Sequence, residues 1–143
     1  VAGFDDLIYG IGGSSPAPMI GYTWKRKLGT SWRFGVANLQ DADGANIDLS
    51  TGFTAAATFR TRNSRGDVVA SCTNTSSGLS IDLAHDPGHV QIVATPGGTA
   101  AFAGYSDLML MFDLVVTRAS DGAKVSILSD CWFIPATSAI EGA

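Results

Sequence analysis

Apolar side chains recur at every second residue along most of this chain, and turn residues interrupt them roughly every ten positions. That period belongs to strands with one buried face, because successive side chains of an extended chain point to opposite sides. Ile20, Tyr22 and Trp24 are expected to face one way while Thr23 and Lys25 face the other. After Gly29 the pattern resumes with Trp32, Phe34 and Val36. "FTAAATFRTR" sets Phe53, Ala55, Ala57 and Phe59 against Thr54, Thr58, Arg60 and Arg62; "NSRGD" turns the chain and "VVASC" returns. Leu79, Ile81 and Leu83 alternate with Ser80 and Asp82, "HDPGH" turns again, and Val90, Ile92 and Ala94 follow. "YSDLMLMFDLVVTR" is apolar on both faces, as a strand in the middle of a sheet should be. "ASDGAK" then forms a hairpin turn into "VSILSDCWFIP", which Pro135 stops. The one helical candidate is "TPGGTAAFAG", a single turn capped by Thr95 or Thr99 and kept short by Gly97 and Gly98. About eight or nine short strands without a long helical pattern predict an all-β antiparallel sandwich.

The first 19 residues break this rule. "GIGGSSPAPM" forbids a regular element, while the flanking Phe4, Leu7, Ile8 and Tyr9 are too apolar for a free tail. The expectation is an extended N-terminal arm (1–19) that docks on a neighbouring surface, followed by one sandwich domain (20–143). At 143 residues there is room for one real core but not two. The glycines of the arm lack the following Lys-Ser/Thr of a phosphate loop. "VAGFDDLIYG" carries two acids and no cationic region ahead of an apolar run, so it does not read as a signal peptide.

The net charge of -4, with no dense cationic cluster beyond Lys25-Arg26-Lys27, argues against nucleic acid as a partner. No segment has the ~20 apolar residues of a membrane span, and a membrane partner is not expected. Cys72 and Cys131 are read as two half-buried side chains in strands, with a bridge between them as the alternative.

Several short patterns resemble functional sites. Asp41, Asp43, Asn46 and Asp48, with Gly44 at the bend, are spaced like calcium ligands. Such loops need about six to eight oxygens and a closing bidentate acid. Leu49 to Phe53 supplies no Glu, so a β-turn is the preferred reading and no metal is expected. His85 and His89 bracket a Pro-Gly turn that excludes the helix on which their spacing would form a ligand pair. Arg65-Gly66-Asp67 and Asn74-Thr75-Ser76 match an adhesion tripeptide and a glycosylation sequon by letter, and both read as turns. For catalysis there is no nucleophile elbow, no supported Cys/His pair and a single Glu; the chain reads as a non-enzyme without a cofactor.

The order of these pieces resembles a family of small bacteriophage tail domains, like the N-terminal, virion-anchoring domain of phage baseplate upper proteins. "LGTSWRFGVAN" is similar to the family's opening strand, and "LQDADGANIDLSTGFTAAATFRT" to its Asp-Gly hairpin and long alternating strand. "LSIDL", "HVQIVATPGGTAAFAGYSDLMLMFDLVVTRASDGAKVSILSDCWFIPATS" is similar to its closing pattern. The resemblance covers roughly Leu28 to Ala139. It departs at Gly97 and Gly98, where the family usually has acids. The resemblance implies an immunoglobulin-like sandwich that joins other virion proteins and copies of itself, in a virion assembled in the bacterial cytoplasm. Phe4, Leu7, Ile8 and Tyr9 are then the expected interface residues of the arm, with Tyr22 and Trp24 as aromatic anchors or, equally, core. The competing expectation is a carbohydrate-binding or adhesion module with a host-surface glycan as partner. Its pointer is Trp132 beside Asp130, although the apolar strand favours burial of that ring.

Overall fold

The computed structural model describes residues 19–37, 39, 45–61, 66–120, 122 and 124–137. Nine strands follow in order: β1 (Met19–Ile20), β2 (Thr23–Lys27), β3 (Trp32–Val36), β4 (Phe53–Thr61), β5 (Val68–Thr73), β6 (Leu79–Asp82), β7 (Val90–Ala94), β8 (Leu110–Arg118) and β9 (Lys124–Ala136). Six of them form one sheet in the order β1-β9-β8-β4-β5, with β2 continuing alongside β9. β3-β7-β6 form the second sheet. The protein is an all-β sandwich, and its pairings are antiparallel except that β1 and β2 both run parallel to β9.

Alternation explains which side chains fill the space between the sheets. Trp32, Phe34 and Val36 are buried on β3, Ala55, Ala57 and Phe59 on β4, Leu79 and Ile81 on β6, and Val90, Ile92 and Ala94 on β7. These are the faces the period of two predicts. The centre is aromatic. Phe133 stacks on Phe34 at 5.5 Å, and Phe59 meets Phe112 at 5.0 Å and Phe102 edge-on at 5.1 Å. Gly35 on β3 is a close-approach glycine: a Cβ there would overlap the Val90 carbonyl oxygen of the neighbouring strand.

The helical candidate is longer than one turn. A 3-10 helix spans Gly97–Tyr105 and carries Phe102, fully buried, between Phe59 and Phe133. Thr95 Oγ1 accepts the Gly98 N–H at its start, while the buried Thr99 hydroxyl donates to the Pro96 carbonyl and accepts the Gly29 N–H at 2.9 Å. That last bond ties the β2–β3 turn to the helix.

Three local departures have identifiable causes. The first strand is split: Gly21, at φ 81, breaks the alternation expected from Ile20 to Trp24. The break sits opposite an irregularity of β9 at Asp130, whose φ is 52. Gly21 N–H donates to the Asp130 carbonyl, and Trp132 N–H to the Tyr22 carbonyl. Secondly, the alternating apolar pair Ile47 and Leu49 lies in no strand. Leu39, Ile47 and Gly88 exchange backbone hydrogen bonds, so the segment is knitted to the "HDPGH" turn. Leu49 is nonetheless fully buried. The third is Trp132, whose ring is half-buried rather than buried because it sits on the outward side of β9.

Candidate protein interface

The outward face of the six-stranded sheet is built by register. Thr23 on β2 lies beside Trp132 on β9, Trp132 beside Met111 on β8, Met111 beside Arg60 on β4, and Arg60 beside Val68 on β5. One row therefore crosses five strands. The next row begins with Lys25 beside Ile134. Met109, two residues before Met111, continues it on the same side of the chain. Val68 and Met109 are exposed by 54% and 43%, and Trp132, Met111 and Ile134 are half-buried.

An apolar band flanked by Lys25 and Arg60 thus covers one end of this face. Exposed contiguous apolar surface of that kind marks contact sites rather than ordinary solvated sheet. Around the same end, Thr61, Tyr105, Leu108, Met109 and Leu110 line a shallow cavity of about 290 Å³. Of these, Leu108 is 54% exposed.

Tyr22 and Trp24 come together at the edge of the sandwich but differ in role. Tyr22 is 51% exposed and stacks on Trp24 at 6.0 Å. Trp24 turns inward, stacking on Phe34 at 5.0 Å and touching Phe112 at 5.8 Å. Arg26, on the same side of β2, lies over the Phe34 ring at 5.6 Å, and burial holds its pKa below the usual guanidinium value. The pair Trp24 and Arg26 closes the gap between the edges of the two sheets. Phe4, Leu7, Ile8 and Tyr9 lie outside the described residues.

The other patterns resolve into turns where they are described. Asp48 accepts hydrogen bonds from the Ser50 hydroxyl at 2.6 Å and N–H at 3.0 Å, which hold its carboxyl below the ordinary range. Asp41, Asp43 and Gly44 lie outside the described residues, among which no three His, Cys, Asp or Glu side chains gather as a metal site. His85 reaches Asp86 at 3.6 Å. Asn74 Oδ1 accepts the Ala55 N–H at 3.1 Å, a structural use of the sequon asparagine. Asp67 N–H donates to Thr61 Oγ1, and its carbonyl accepts the Thr61 N–H, closing the β4–β5 turn; Arg65 is not among the described residues.

Cys72 and Cys131 are both buried, and neither is in a disulfide. They sit on β5 and β9, separated by β4 and β8, so three strand spacings, about 14 Å, lie between them. A disulfide needs Cα atoms within roughly 7 Å.

The outward band was not singled out from sequence, although "YSDLMLMFDLVVTR" held the signal. A strand apolar on both faces needs two covering layers, and a two-layer sandwich supplies one. No protein-family model matches the chain, and no curated protein is significantly similar to it.

Proposed function

We propose that this chain is a structural subunit of a bacteriophage particle, in the tail, baseplate, neck or capsid surface, and that it works by protein–protein contact rather than catalysis. The observation that carries the reading is the outward apolar band of Trp132, Met111, Ile134 and Met109, with Lys25 and Arg60 at its flanks, a surface suited to a neighbouring protein. The strand order supports the immunoglobulin-like part of the reading. β3-β7-β6 correspond to strands B, E and D, and β9-β8-β4-β5 to G, F, C and C′ of such sandwiches. In this scheme the split first strand has moved from the side of B to the side of G. The segment before Met19, where β1 begins, serves as the docking arm, and Tyr22 adds an exposed aromatic contact.

An antibody against the purified chain tests the role. It should label intact particles from the natural source and locate the subunit by low-resolution imaging. Signal confined to particle-free soluble fractions would refute it. A half-buried, outward Trp132 two residues from the exposed Asp130 favours a carbohydrate-binding module as the second reading. Specific glycan binding lost on Trp132→Ala would support that reading.

A further inference from the structure

The band on the outer sheet has an apolar centre and two cations, and one segment of the chain has the opposite polarity. Residues 1–10, "VAGFDDLIYG", combine Phe4, Leu7, Ile8 and Tyr9 with Asp5 and Asp6, and contain no Lys or Arg. Lys25 and Arg60 have no carboxylate partner among the described residues. The direction of the chain matters as well. β1 runs parallel to β9 with Met19 beside Leu128 and Ile20 beside Ser129, so Met19 is the residue of β1 nearer the Lys124 end of β9. The band lies at the other end, at Trp132 and Ile134. Met19, the first described residue, therefore sits on the side of Ile20 that is farther from the band. Nine residues lie between Tyr9 and Met19, and the ten steps from one to the other reach up to ~33 Å when extended.

We infer that Phe4–Tyr9 of one copy docks on the outer sheet face of the next copy, with its apolar side chains on Trp132, Met111, Met109 and Ile134 and its two aspartates toward Lys25 and Arg60. The inference rests on the arm reading above and does not depend on the particle in which the subunit serves. Such a contact is heterologous: each copy offers an arm and receives one, so copies join head to tail in rings or open chains.

Mixing two full-length variants tests it. One carries Leu7→Asp with Ile8→Asp, which removes the arm's apolar character; the other carries Trp132→Glu, which spoils the face. Light scattering should find concentration-dependent oligomers for the unaltered chain and monomers for each variant alone, with unchanged melting temperatures. Mixed in equal amounts, the variants should give a dimer and nothing larger, because one intact arm meets one intact face. Met109→Lys, at a more exposed position, should replace Trp132→Glu with the same result. Association that survives both face variants but not the arm variant would place the arm elsewhere and overturn the face assignment alone. Association that survives every variant would overturn the arm reading too. An equal mixture that stays monomeric, or an unaltered chain that stays monomeric at high micromolar concentration, would overturn docking between copies.

Discussion

Burial pushes the Cys72 thiol up to about 12, an effect that its backbone contact with Ala57 only partly offsets, and burial also raises Cys131. The thiolate is the nucleophile, so neither side chain has a reactive form near neutrality. A thiol reagent at pH 8 should leave the native protein unmodified and label two thiols per chain in urea. Rapid labelling of native protein, or fewer than two thiols after unfolding, would contradict the buried, unbridged arrangement. Residue-level legibility was uneven. The letters of Trp32, Phe34, Phe59 and Ile92 announced burial because each stands in an unbroken alternation. Trp24 was ambiguous as a letter, since interface anchors and core residues share the same chemistry. Only its stack on Phe34 shows that it faces inward.

The 3-10 helix Gly97–Tyr105 shows how an element can be short and still hold the molecule together. It carries no acid in its first turn, no base in its last, and no amphipathic stripe that sequence could reveal. What fixes it is Phe102, between Phe59 and Phe133, together with the buried Thr99 hydroxyl and its bonds to Pro96 and Gly29. Phe102→Ala should cost about 3–5 kcal/mol, measured by urea unfolding, because the ring leaves a cavity that the surrounding strands cannot close. A loss below 1 kcal/mol would mean the helix is peripheral. β9 was harder to read. Leu114 pairs with Leu128 but Phe112 with Cys131, so two steps on β8 face three on β9. A second shift, with Leu114 opposite Leu128 but Val115 opposite Ser126, leaves consecutive Ile127 and Leu128 both buried, and the two shifts together return β9 to its starting parity. Alternation alone cannot announce a register shift, so the burial of Leu128 beside Ile127 was not legible in the sequence.

For the molecule as a whole, cohesion comes from an apolar and aromatic interior between two sheets. The acidic loop contributes backbone hydrogen bonds from Ile47 and a turn at Asp48. Excess calcium or a chelator should therefore leave the melting temperature unchanged within about a degree; a rise of several degrees with calcium would restore the ligand-loop reading of Asp41 to Asp48, since a ligand bound only to the folded state must stabilise it. The sandwich was legible in the sequence because its strands are short and regularly punctuated. Its sheet partners were not, since pairing joins residues far apart in the chain, such as Thr23 with Trp132. That parallel pairing has a mechanical consequence. Traction applied through residues 19 and 137 would slide β2 lengthwise along β9, loading the rungs from Thr23–Trp132 to Lys27–Ala136 together instead of peeling them singly. The geometry favours yielding late under tension, at a force set by several hydrogen bonds sharing the strain.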